Sequence, residues 1–373
     1  MSVILSKAFD VARDNADMTH PTRQPIHGRG ATGNPDNRFA EQARAAFDDG
    51  WDSHDPAPPP LRTQLFADAS KSVISYNDSP DVPFDRSINP YRGCEHGCVY
   101  CFARPTHAYL GLSPGLDFES RLFHKPEAPA LLRRELAKPG YRCAPIALGI
   151  NTDAYQPVER GLGLTRALIE VLGEHGHPFS VVTKSSLIER DIDLLAPLAA
   201  RNLVQVAVSV TTLDRPLARR LEPRAAAPNR RLDTIGRLRE AGIPVSVLVA
   251  PLIPFLTDHD LEGILAAVRE AGALDAGYVL LRLPHEVKDL FRDWLAVHEP
   301  LKAERVMNRL RDCRSGQDYD SRFGRRMRGE GEFAELIARR FRIAYRRLRF
   351  TGLPPLDCGQ FRVPGRPAQL ALF

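Results

Sequence analysis

Asn89 to Phe102 reads NPYRGCEHGCVYCF, and the reading of this stretch decides the fold around it. It sets Cys94, Cys98 and Cys101 in a C-x3-C-x2-C array with Gly93 and Gly97 beside the ligand positions, so the array belongs to a tight loop. Half of the chain's six cysteines are here. Three thiolates at this spacing, with no fourth ligand beside them, suit three corners of a [4Fe-4S] cube and leave one iron without a protein ligand. An open iron is a place for chemistry. A structural zinc site is the rival reading. It wants four ligands, and His96 or His107 would have to complete the set, because no second pair of cysteines follows. A disulfide framework suits a short, cysteine-rich secreted chain rather than this one.

The chain has 373 residues, of which 43% are hydrophobic and 26% charged, the composition of a globular protein with one large domain and appendages. No run of about 18 apolar residues occurs and the first twenty residues hold no sustained apolar core, so a cytoplasmic protein without membrane association is expected. The net charge of +5 is modest but unevenly spread: Arg305 to Arg349 holds fourteen arginines and no lysine against six acids.

Residues 1–70 read as a largely disordered arm, polar and rich in Gly, Pro, Asp and Asn. Within it Gly28 to Thr32 (GRGAT) reads as a flexible glycine-rich linker in preference to a phosphate contact. Residues 71–285 alternate short β-branched runs with amphipathic helical patterns, the rhythm of βα units building a parallel sheet. Strands are expected at 87–91, 145–151, 179–184, 204–210, 245–251 and 278–283, with helices at 128–137, 163–174, 191–200, 229–240 and 258–271. The fold class is α/β, a partial (β/α)6 TIM-type barrel with a helical, arginine-rich C-terminal extension over 286–350 and a tail over 351–373. In such barrels chemistry collects at the C-terminal strand ends. Asn151 and Asp153 end the second strand, Lys184 ends the third, and Ser209 lies near the end of the fourth. Lys184 would be a cation at a buried strand end, which needs an anion: a cofactor carboxylate, or Asp153 or Glu222 in a structural pair. Glu222 and Arg224 follow in a charged loop.

The array C-x3-C-x-aromatic-C, with Tyr100 as the aromatic, resembles the signature of the radical S-adenosylmethionine (SAM) superfamily. NPYRGCEHGCVYCFAR, the Thr183-Lys184 pair and the Ser209 strand resemble the subgroup similar to spore photoproduct lyase, over roughly Ile88 to Leu283. The resemblance implies a partial barrel, a [4Fe-4S] cluster on Cys94, Cys98 and Cys101, and SAM on the open iron. It implies Tyr100 against the adenine, with Lys184 and Ser209 at the methionyl end. It also implies an electron donor such as flavodoxin or ferredoxin. The lyase keeps a hydrogen-donating cysteine beside its second-strand end, and this chain has none there. Cys143, eight residues before Asn151, stands as the replacement donor, and with Cys313 and Cys358 as a conceivable auxiliary-cluster set. The substrate reads as nucleic acid, DNA foremost. RNA or protein modification by the same radical is the alternative, as is a non-catalytic iron-sulfur DNA-binding protein.

Three features bear on the DNA reading. The helix expected over 332–350 carries Arg339, Arg342, Arg346 and Arg349 as a stripe suited to bidentate phosphate contacts. The segment Asp318 to Gly331 (DYDSRFGRRMRGEG) reads as a loop across the barrel mouth or a basic strand-binding loop. The C-terminal pentapeptide QLALF, with Gln369, Leu370, Leu372 and Phe373, closely resembles the peptide by which bacterial polymerases and repair proteins dock on the sliding clamp.

Overall fold

The computed structural model describes residues 26–40 and 61–363. Regular structure begins with β1 (Gln64–Ala67) and β2 (Ile74–Tyr76), which the sequence reading does not anticipate, and continues with β3 (Arg86–Ile88), β4 (Tyr91–Arg92) and β5 (Arg121–His124). The remaining strands are β6 (Ile146–Leu148), β7 (Phe179–Thr183), β8 (Val204–Ser209), β9 (Val245–Leu252) and β10 (Asp275–Leu280). The main sheet runs in the order β10-β9-β8-β7-β6-β3-β2. From β3 to β10 its members are parallel neighbours in chain order, and β2 pairs antiparallel at the edge. This is the partial (β/α)6 barrel, open between its two edge strands. A second sheet, β1-β5-β4, lies outside it.

The crossovers form helices where the apolar spacing demands them. The helix Leu164–Glu174 buries Leu164, Leu168, Ile169, Val171 and Leu172, one stripe at three-to-four-residue spacing. Each such side chain fully removed from water stabilises the packed state by about 1.5–3 kcal/mol. Leu168, Ile169, Val171 and Leu172 meet Phe179, Val181, Val204, Val206, Val245 and Val247 of the sheet in one continuous core. The expected helices all form, at Ala128–Leu136, Leu164–Glu174, Ile192–Ala199, Pro228–Glu240, Leu261–Glu270 and Glu332–Arg347. The extension adds Val287–His298 and Ala303–Asp312.

Three expectations need correction. The run 87–91 is not one strand: Pro90 has no N–H for a ladder, so β3 stops at Ile88 and the chain re-pairs as β4 in the other sheet. The last strand lies three residues earlier than expected: its register shifts between Tyr278 and Leu280, and beyond it Leu281 and Leu283 pack with Phe291, Trp294 and Leu310 in a second core. The arm is not loose throughout: Arg29, Ala31 and Thr32 are buried and β1 pairs with β5. Residues 1–25 and 41–60 of the arm, and the C-terminal pentapeptide, lie outside the described residues.

Two segments close the ends of this trough. Leu280 N–H donates to Met327 O (2.9 Å), while Gly324 N–H donates to Asp81 (2.7 Å) and Arg326 binds Asp81 and Ser79 in the turn between β2 and β3. The arginine-rich segment 318–331 therefore crosses the side gap between the free edges, from the end of β10 to the turn before β3, a course that neither of its two sequence readings specifies. Residues 351–363 run beneath the N-terminal strand ends. Thr351 N–H donates to Leu274 O, Asp357 N–H to Asn202 O, and the Phe361 ring meets Tyr141 and His177. Among the described residues no helix is long and apolar enough to cross a membrane.

Candidate active site

The cysteine loop follows β4 and depends on two left-handed glycines. Gly93 has φ of +77° and an added Cβ would stand 2.6 Å from Leu122 Cδ2 and 2.8 Å from Phe118 O; Gly97 has φ of +68° and its Cβ would stand 2.8 Å from Glu119 Oε2. Backbone bonds thread the loop between neighbours: Cys94 N–H donates to Phe118 O (2.9 Å) and Val99 N–H to Leu221 O (3.1 Å). Arg104, wholly buried, donates to Cys98 O (2.9 Å), Gly97 O (3.1 Å), Pro114 O (3.0 Å) and Gly115 O (2.9 Å), and pairs with buried Glu119 at 2.5 Å. Glu119 also accepts from Gly30 N–H (3.0 Å) and Ala31 N–H (2.8 Å). A Cβ on Gly30 would sit 1.8 Å from Gly97 O. The linker reading of Gly28 to Thr32 is thereby corrected: the segment is the backing of the cysteine loop, and glycine is there for close approach.

Burial pushes all three thiols up, Cys94 well above its ordinary value, Cys98 to about 12 with Glu222 adding to the effect, and Cys101 less strongly. Thiolates form here when a metal's positive charge replaces the proton. Among the described residues no three His, Cys, Asp or Glu side chains are gathered to hold a single metal ion. Of the histidines that a zinc reading would recruit, His96 has Nδ1 3.3 Å from Asp153, and His107 uses Nε2 on Arg121 O (3.0 Å) while its buried Nδ1 has no partner. Three thiols on one rigid loop are the donor set for a cluster that takes one thiolate per iron and leaves a corner open.

Beside the loop, at the C-terminal strand ends, a buried carboxylate organises the polar residues. Glu222 accepts from the Tyr100 hydroxyl, from Thr211 Oγ1 (2.6 Å) and from Arg231, and lies 3.9 Å from Lys184 Nζ. Burial would raise its pKa, but Arg231 and Lys184 outweigh that and hold it at about 2. Arg231 in turn donates to Ser209 O (2.9 Å) and Ala226 O (2.7 Å). Lys184 Nζ has one long bond, to Ala250 O (3.4 Å), and stands 5.9 Å from the centre of the Tyr100 ring. Its donors are therefore largely unspent. A cleft of about 430 Å³ opens alongside, lined by His96, Arg160, Ser185, Ser186 and Arg224.

The remaining expected residues divide. Asp153 is a clamp: its oxygens accept from Thr183 Oγ1 (2.7 Å), Tyr155 N–H (2.9 Å) and Lys184 N–H (2.7 Å) and face His96, which leaves little for a cofactor. Asn151 is exposed, its N–H on Asn89 Oδ1 (2.8 Å). Arg224 pairs with Glu95 of the loop at 3.1 Å. Cys143 is in the wrong place for hydrogen donation. It precedes β6, at the N-terminal end of the barrel, with its thiol pushed up to about 12 by burial and by Cys358 beside it. Cys313 lies apart from both, under Gly329, so the three do not form an auxiliary set. The sequence alone does not single out Arg231, since nothing in RR at 230–231 distinguishes the buried arginine from its half-buried neighbour. Arg339, Arg342, Arg346 and Arg349 are all exposed, and none forms a salt bridge among the described residues.

Comparison with known proteins agrees with this geometry. Residues 88–268 match the model of the Radical SAM superfamily. An uncharacterized protein of Mycobacterium tuberculosis is 41% identical over 221 residues, covering 59% of this chain and 65% of the relative. One from Methanocaldococcus jannaschii is 28% identical over 171 residues, 46% of this chain and 61% of its own length. The chain thus spans somewhat under two thirds of these relatives. Among solved structures, a spore photoproduct lyase variant superposes with a TM-score of 0.55 at 15% identity, covering 77% of this chain and 80% of the lyase. Another variant, with bound AdoMet and dinucleoside spore photoproduct, gives 0.52 at 14% over 77% and 80%. At such identity the likeness is one of fold. Fold, cysteine loop and family match converge on residues 88–268, just under half of the chain, and mark that stretch as similar to the Radical SAM superfamily.

Proposed function

We propose that this chain is a radical SAM enzyme and that it acts on nucleic acid, DNA foremost. The observation that carries the first part is the placement of three thiols on one glycine-shaped loop beside Lys184, whose donors are largely unspent, at the C-terminal mouth of a parallel barrel. Cys94, Cys98 and Cys101 would hold a [4Fe-4S] cluster, and Lys184 would meet the carboxylate of SAM. Bound together, cluster and SAM supply a 5′-deoxyadenosyl radical that abstracts a hydrogen atom from the substrate. The chain's own contribution is positional. Glu222 stays a carboxylate at neutral pH and orients Tyr100, Thr211 and Arg231; Arg231 fixes the end of β8 at Ser209; Arg104 and Glu119 hold the loop. A flavodoxin or ferredoxin is the expected electron donor.

The DNA reading is supported by the four exposed arginines of the helix Glu332–Arg347 and the turn after it, which no carboxylate neutralises among the described residues. The QLALF peptide supports it too, since docking on a sliding clamp would bring the enzyme to duplex DNA.

The test is reconstituted, dithionite-reduced protein mixed with SAM. 5′-Deoxyadenosine should form, Cys98→Ala should abolish both it and the visible absorbance, and Lys184→Ala should weaken SAM binding roughly tenfold or more with the iron content unchanged. Protein that binds DNA yet makes no 5′-deoxyadenosine would instead be an iron-sulfur recruitment module.

A further inference from the structure

Exposed aromatic rings at the barrel mouth and along the segment that crosses the side gap each carry an arginine over one face. The Arg282 guanidinium lies 5.0 Å from the centre of the Phe102 ring, and Phe102 directly follows the ligand Cys101. Arg38 lies 4.5 Å from the Phe39 ring and 5.1 Å from Tyr109, and Arg326 lies 4.5 Å from Phe323. The rings are 40%, 54%, 71% and 55% exposed for Phe102, Phe39, Tyr109 and Phe323, so their outer faces meet water. Contacts string them together. Arg282 touches Met327 Sδ (3.5 Å) in the segment that crosses the gap, and Arg38 bonds Pro105 O and Glu286, three residues beyond Phe102 and four beyond Arg282. Between the Phe323 segment and the end of β10 lies a polar cleft of about 570 Å³, lined by His285, Gln317, Tyr319 and Arg322 among others. His285 holds φ of +49°, a strained backbone of the kind that collects at binding sites.

The charge balance of this course is specific. Carboxylates already engage Arg38 (Glu286), Arg326 (Asp81), Arg322 (Asp320) and Arg325 (Glu330). Arg282 has no salt bridge among the described residues, although its charge reaches the Asp81 carboxylate, and its buried Nε has no hydrogen-bond partner. Arg328 likewise has none and rests 4.1 Å from the Tyr278 ring. A guanidinium beside the cysteine loop with no salt bridge of its own has terminal nitrogens to offer an anion. Flat rings backed by cations call for π-faces.

We infer that this course is a track for a single strand of DNA: unstacked bases lie on Phe323, Phe102 and the Phe39–Tyr109 pair, and Arg282 takes a phosphate where the strand passes the cysteine loop. Duplex DNA cannot use it, because its bases are already stacked. The inference rests on the DNA reading above and deepens it. It supplies what the arginine stripe of the C-terminal helix cannot, a way for one base to reach the cluster.

The experiment is fluorescence anisotropy on the full-length, cluster-loaded protein with labelled single-stranded oligo-dT, the corresponding duplex and oligo-U. The single DNA strand should bind more tightly than the duplex. Phe323→Leu and Tyr109→Leu should each weaken single-strand binding about tenfold and leave duplex binding within about twofold. Phe323→Trp should restore it, which a merely structural loss would not do. Arg282→Gln should lower the slope of log affinity against log salt by about 0.7. Equal losses for strand and duplex, unchanged strand binding in the leucine variants, or preference for oligo-U would each overturn the inference. Its failure is separable from failure of the enzyme reading: 5′-deoxyadenosine formation without DNA reports the latter alone.

Discussion

Glu222 shows how one side chain sets a site's pH behaviour. Its carboxyl ordinarily titrates near 4.3 but is held at about 2 in the folded chain, so it binds fewer protons folded than unfolded. Its stabilising contribution is therefore fully present above about pH 4.5 and is lost as the pH falls toward 2. Glu222→Gln should flatten that acid limb, and at neutral pH should cost on the order of 3 kcal/mol, because Arg231 is left buried without its anion. Urea titrations of both proteins across pH 3–7 measure it; parallel acid limbs would contradict the assignment. The three cysteines were legible because ligand spacing along a loop is a property of sequence. Asp153 was not legible as a clamp, since a carboxylate at a strand end looks the same whether it will meet a cofactor or backbone amides. The placement of Cys143 turned on which end of β6 it precedes, and that end faces away from the site.

At the scale of elements, the βα rhythm fixed the six parallel strands and their helices to within a few residues, because burial against a shared sheet writes its period into each segment. What the rhythm cannot record is contact between distant segments without periodicity. Gly28 to Thr32 has the composition of a linker and the position of a buttress, and only the approach of Gly30 to Gly97 O reveals it. Gly30→Ala should therefore act as an overpacking substitution at the cysteine loop. The expected cost is about 1–3 kcal/mol, read as a lowered melting temperature together with faster loss of iron to a chelator. Gly33→Ala, where an added Cβ meets nothing within 4 Å, is the control; equal effects at the two positions would remove the buttress.

At the scale of the molecule, the mouth and the floor of the barrel serve different ends. The cysteine loop and Lys184 lie at the mouth, while residues 351–363 are tied beneath the N-terminal strand ends. The clamp-like peptide follows that tie. Intact protein should recover the bacterial sliding clamp in a pull-down and a form ending at Ala368 should not; equal recovery would remove the recruitment reading.

The tie also sets a leash. Gln369 comes six residues after Val363, the last residue described, and six extended residues span at most about 20 Å. A ring docked on that peptide would ride close under the floor, its bore on the far side of the barrel from the chemistry. Duplex held in such a ring would have to bend around the protein, or release one strand over its flank, before any base could arrive at the mouth.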